Sequence, residues 1–205
     1  MGAMNKTPSP KEKAIYQAVL TLFEEGADLN SLTVAEITGK AGIGKGTAYE
    51  YFSDKEEMIA KALFYNARQI CLRIYERLKK EKSLYDKMNL ILIKMEGQVT
   101  ETSCIIKMVH VMSDNSIVSR RLQAMEKESE KEMPAVEMLR RLLLDELGEE
   151  VLSPEKLSYL TMCILSRVLC YGMLLRDEKY MPEDSREKMR DMICRGICRE
   201  VEEIS

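Results

Sequence analysis

Tryptophan is absent from this 205-residue chain, histidine occurs once and phenylalanine three times. A single imidazole, His110, excludes metal centres built on several histidines and any mechanism that needs two of them. The six cysteines, at 71, 104, 163, 170, 194 and 198, contain no C-x-x-C pair, so zinc ribbons and thioredoxin-like redox motifs are excluded as well. With no secretory apolar segment at the start, these cysteines are expected as reduced thiols and the protein as cytoplasmic. A basic excess is also missing: 31 Lys+Arg face 34 Asp+Glu, a net charge of −3. That balance excludes a protein that coats nucleic acid through charge alone, so any DNA binding must be local and shaped. Strand-type alternation is absent throughout. What is present is a 45% apolar composition with 15 Met, enough for a globular core rich in soft sulfur side chains.

Met1-Gly2-Ala3, ahead of a second start-like Met4, reads as a cloning remnant, and Asn5 to Pro10 as a flexible arm. From there helical periodicity dominates. Ala14, Ile15, Ala18, Val19, Leu22 and Phe23 form one apolar stripe that Gly26 should end. Thr33-Val34-Ala35-Glu36 is a capping box opening a short helix stopped by Gly39 and Gly42. A third short helix is expected from Lys45 to Phe52, and Ser53 or Asp54 should cap a long one running to about Lys80. Further helices are expected over 84–97, 102–112 and 115–147, the last interrupted by Pro134. Ser153-Pro154 and Pro182 each place a Pro at a helix start. Residues 157–175 are nearly all apolar, with Arg167 their only charge. A central Arg costs on the order of 2.5–3.5 kcal/mol in a bilayer, so the segment is expected as a helix buried on most sides in a protein without a membrane partner. The fold class is therefore all-α.

Residues 33–52 have the form of a helix-turn-helix. Val34, Ile37 and Ala41 give the first helix a buried face, Gly42-Ile43-Gly44 supply the turn, and Ala48 and Phe52 face inward on the second helix. Lys45, Gly46 and Tyr49 then share the outward side, flanked by Thr47 and Tyr51. An ammonium and two phenols suit phosphates, a hydroxyl suits a phosphate or base edge, and a glycine permits close approach. Lys55 is expected at the next helix start, where its charge and the free amides could meet a phosphate. Charge around the motif runs the other way. Residues 1–60 hold six Lys, no Arg and nine carboxylates.

With Leu32-Thr33, Ala41-Gly42-Ile43, Lys45-Gly46-Thr47, Tyr49, Tyr51-Phe52 and Lys55-Glu56 at these spacings, the segment from about 11 to 60 resembles the TetR family of bacterial transcriptional regulators. The resemblance implies an N-terminal three-helix DNA-binding domain over 11–56 and a larger helical effector-binding and dimerisation domain over 57–205. It also implies a homodimer on a roughly palindromic double-stranded operator. Family DNA contacts would fall on Thr33, Lys45, Gly46, Thr47, Tyr49, Tyr51 and Lys55. Three positions depart from the family pattern: Gly44 replaces a capping Ser, Ala48 a larger aliphatic residue, and Glu50 a His or aromatic.

Outside the motif, His110 with Met108 and Met112, and Tyr159, Met162 and Tyr171, are candidates for an apolar effector pocket. Each could equally be ordinary core, and His110 a hydrogen-bonded structural residue. Cys194 and Cys198, four residues apart, are too few for a zinc site and read as buried thiols. Neither paired carboxylates, a nucleophile elbow, a phosphate loop nor a metal set is present, so no enzyme, cofactor or metal is expected. The resulting expectation is a ligand-responsive repressor released from its operator by a small hydrophobic or amphipathic effector. Its alternative is a helical small-molecule or thiol-redox sensor with weakened DNA binding. The dimer interface is expected on the last two helices, 154–176 and 182–204.

Overall fold

The computed structural model describes residues 7–96, 118, 120, 121, 134–175 and 178–205. Among them there are helices and turns but no strand, as the periodicity requires. In order these are α1 (Pro10–Glu24), α2 (Val34–Ala41), α3 (Lys45–Tyr49), α4 (Lys55–Leu78), α5 (Leu84–Glu96), α6 (Pro134–Leu147), α7 (Pro154–Leu174) and α8 (Arg186–Ile204). The chain divides into two compact units, residues 1–68 with 107–132, and residues 69–106 with 133–205.

In the first unit, α1 packs on both α2 and α3, and α2 on α3. The predicted stripe of α1 supplies buried Ile15, Ala18 and Val19, and Ile37, Ala48, Phe52, Met58 and Ile59 of the same unit are buried too. Tyr16 sits at the centre, its ring edge-on to Phe52 (centroids 5.9 Å apart) and tilted against Tyr65 at 5.3 Å. Burial, with the nearby Glu12 and Glu57 carboxylates adding to it, pushes the Tyr16 phenol far above its ordinary value, so it stays neutral. The first helix begins earlier than expected. Ser9 caps it by accepting from the Glu12 amide (3.3 Å), and the Glu12 carboxylate accepts in return from the Ser9 amide (2.8 Å). Ser-Pro-x-Glu is therefore a capping box with Pro at the first helical position, and the segment read as arm ends in a helix start.

The second unit gathers α5, α6, α7 and α8 around Leu84, Met88, Leu92, Leu139, Leu143, Leu160, Ile164, Cys194, Ile197 and Val201. Ser153 caps α7 as its sequence predicts. Pro182 opens only a 3-10 turn at Glu183–Ser185, and α8 starts after it at Arg186. Helix α7 departs from expectation: it is buried on one side, not most. Leu157, Leu160, Thr161, Ile164, Tyr171 and Gly172 point into the core, while Tyr159, Met162, Cys170, Met173 and Leu174 are exposed. By length and composition it is the one helix among the described residues that could cross a membrane, and 33% of its most apolar window is buried. It is apolar all round because it carries two apolar faces, only one of which serves the core of its own chain.

Candidate nucleic-acid interface

The recognition surface is assembled by local capping. Thr33 caps α2: its hydroxyl accepts from the Glu36 amide (3.2 Å) and donates to a Glu36 carboxylate oxygen (2.7 Å), which also accepts from the Thr33 amide (2.8 Å). Those bonds from Thr33 hold the Glu36 carboxyl below the usual carboxylate range, although it is exposed. At the other end Gly42 takes a left-handed φ of 65°, a conformation costly for residues with a Cβ, and lets the Ile43 amide return to the Thr38 carbonyl (3.0 Å). The chain then enters α3 through Gly44, whose cap lacks a side-chain hydrogen bond. Expected to reach Phe52, α3 ends at Tyr49. There the Tyr51 and Phe52 amides both return to the Ala48 carbonyl, which tightens the last residues into a turn.

Ala48 and Phe52 are buried, which turns the opposite side of α3 outward. Lys45 and Gly46 are exposed, Tyr49 is 53% exposed, and Thr47 and Tyr51 are half-buried. A Cβ added at Gly46 would meet nothing within 4 Å, and its φ is not positive. The protein's own packing therefore does not require glycine there. Lys45, by contrast, has neither a hydrogen bond nor an ion pair among the described residues, so its ammonium is available to a partner.

Lys55 opens α4 as expected, but the protein itself engages its ammonium. Its ammonium donates to the Asn30 carbonyl (2.8 Å) and lies 3.7 Å from Glu56, pinning the loop between α1 and α2. An ammonium has three donors, so a phosphate can still be met while that bond persists. The neighbouring amides are less available. Asp54 accepts from the Glu57 amide (2.6 Å), and Glu57 accepts from the Ser53 amide (2.6 Å) and hydroxyl (2.8 Å). The start of α4 is thus capped by its own carboxylates. Burial works to raise the Glu57 pKa. The Lys61 ammonium at 2.8 Å and the Ser53 bonds outweigh it and pull the carboxyl down to about 2. Arg121 joins the same corner, donating to the Ser53 hydroxyl (3.3 Å) 68 positions away. No spacing in the sequence signals that contact.

The other candidates lie in two places. His110, Met108 and Met112 fall outside the described residues. Tyr159 and Met162 are exposed on α7, the Tyr159 hydroxyl donating to Glu200 of α8 (2.8 Å), whose other oxygen sits 2.5 Å from the Arg167 guanidinium. Tyr171 is buried, and its hydroxyl donates to Glu96 at the end of α5. Arg190 grips the same carboxylate at 2.5 and 2.6 Å and also reaches Asn89 at 3.3 Å. Residues 94 and 75 positions apart thereby tie α8 and α7 to α5. Burial pushes the thiols of Cys71 and Cys194 up to about 12 and raises that of Cys198, so these three are protonated, weak nucleophiles at neutral pH.

A three-helix head whose short second and third helices meet at a glycine turn, with a lysine, a glycine and a tyrosine turned outward, defines a helix-turn-helix DNA-binding domain. Residues 15–62 match the model of the bacterial regulatory proteins of the tetR family, a match that lies on the three-helix head. No curated protein matches the chain. Among solved structures it is similar to the transcriptional regulator FadR from Bacillus subtilis, determined in complex with stearoyl-CoA. Identity there is 16% over 90% of this chain and 98% of that one, with a TM-score of 0.62. It is also similar to the fatty acid degradation regulator FadR from Bacillus halodurans, at 16% identity over 93% and 98% with a TM-score of 0.58. A third is NalD, the secondary repressor of the MexAB-OprM multidrug efflux pump in Pseudomonas aeruginosa, at 18% identity over 91% and 96% with a TM-score of 0.57. At these identities the likeness carries the fold.

Proposed function

We propose that this protein is a homodimeric repressor that binds a roughly palindromic DNA operator in the cytoplasm and is released by a small hydrophobic or amphipathic effector. One observation carries it: the recognition helix turns an unpartnered Lys45, an unobstructed Gly46 and a half-exposed Tyr49 to solvent from a packed three-helix head. Lys45, Tyr49 and Lys55 serve phosphates and fix the register on the duplex. Thr47 and Tyr51 flank the base edges, and Thr33 brings the start of α2 to the backbone. The effector class draws support from the apolar body and from the Bacillus subtilis FadR, whose structure holds stearoyl-CoA. Tyr171, joined to Glu96 and Arg190, would serve such a ligand's polar end, and His110, Met108 and Met112 belong to the same proposal.

The dimer draws support from exposed Tyr159, Met162 and Met173 on α7 and Met192 on α8, a face too apolar to be left to water. A double variant, K45A with Y49A, tests the function on an operator selected from random duplexes. It should lose at least tenfold in affinity, and its salt slope should fall by about 0.9 per phosphate contact removed. Binding equal to wild type would place the DNA surface elsewhere.

A further inference from the structure

Glu50 is the residue of the recognition surface that nothing above employs. It is exposed at the C-terminal end of α3 and has neither a hydrogen bond nor an ion pair among the described residues. A carboxylate there faces the negative end of the helix dipole, and on DNA it would face phosphates. Water solvates the acid in the free protein, but against DNA, where that water is displaced, it keeps a favourable contact only by meeting a donor. Four residues before it on the same helix face stands Gly46, around which a Cβ would find open space. With no side chain at Gly46, no protein group stands over this part of the helix face, and a base edge can approach it.

We infer that Glu50 is a base-reading residue that accepts from the exocyclic amine of a cytosine in the major groove, with Gly46 providing the close approach. A carboxylate only accepts, and among base edges the cytosine amino group is a donor whose other neighbour in the groove is a C–H. The adenine amine is flanked by the N7 acceptor, which repels a carboxylate, and guanine and thymine offer acceptors alone. The inference rests on the DNA-binding reading above and adds to it a base preference that the lysine and tyrosines cannot supply.

The test is selection from a pool of randomised duplexes, read by sequencing, with wild-type protein, E50A and E50Q. Wild type should enrich cytosine at one position in each half-site. E50A should keep the rest of the site while discrimination at that position falls about tenfold. E50Q should move the preference there to adenine, because an amide pairs with both the amine and N7 of that base. If E50A keeps the cytosine preference and binds every sequence more tightly, the carboxylate merely repels phosphates and the assignment is wrong. If wild type enriches no sequence, the DNA-binding reading falls and the assignment with it.

Discussion

Glu57 shows how a single residue can hold a corner of the head. Its carboxylate accepts from the Ser53 amide and hydroxyl and pairs with Lys61, and its side chain is only 17% exposed. Since the folded pKa of about 2 lies below the ordinary 4.5, the ionised form is stabilised by folding. Its contribution is complete above pH 4.5 and disappears as pH falls from there toward 2. Urea unfolding of wild type and E57Q should therefore show a large gap at neutral pH that closes below about pH 3. Two curves running parallel down to acid would mean that Glu57 does not carry this acid sensitivity. The outward side of α3 was legible at this same scale, since helical spacing alone put Lys45, Gly46 and Tyr49 together on it. Lys55 was legible as a helix-start residue. Its bond to the Asn30 carbonyl was not, because 25 positions separate the two.

At the scale of elements, the short helices of the head depend on their ends. An isolated helix of eight residues such as α2 is far too short to be stable in water, where about 12–15 residues are already marginal. Its capping box and the contacts of Ile37 therefore decide whether it forms. Thr33→Ala removes the acceptor for the Glu36 amide and the donor to the Glu36 carboxylate. It should lower the stability of the head by about 1 kcal/mol, read from chemical unfolding without DNA. An unchanged unfolding midpoint would show the cap to be dispensable. The long apolar helix teaches the opposite lesson. Its start was legible from Ser153-Pro154, but its burial was misjudged, because uniform apolarity does not say whether one or two faces meet the same chain.

Across the whole molecule, the apolar faces left open on α7 and α8 set the expected assembly. Met162, Met173 and Met192 are each about 60% exposed, whereas Leu160, Ile164 and Ile197 on the same helices are sealed. A second copy covering this face would remove the methionines from water at about 25 cal/mol per Å² of apolar area. Met173→Glu would then bury an unpaired carboxylate and should convert the dimer to monomer at micromolar concentration, as read by size exclusion with light scattering. A variant as dimeric as wild type would move the interface off α7. Operator affinity should fall in the same variant, because the two heads must reach successive major grooves together.

By itself the sequence determined the all-helical class, the ends of most helices, the helix-turn-helix spacing and the outward side of α3. These are properties of residues within a turn or two of each other, where caps, glycines and the 3.6-residue period act locally. Only the tertiary structure decided that Tyr171 and Arg190 meet on Glu96, that Arg121 reaches Ser53, and that α7 turns one apolar face to solvent. Such contacts depend on how helices pack across long stretches of chain, and many pairings are compatible with the same local pattern.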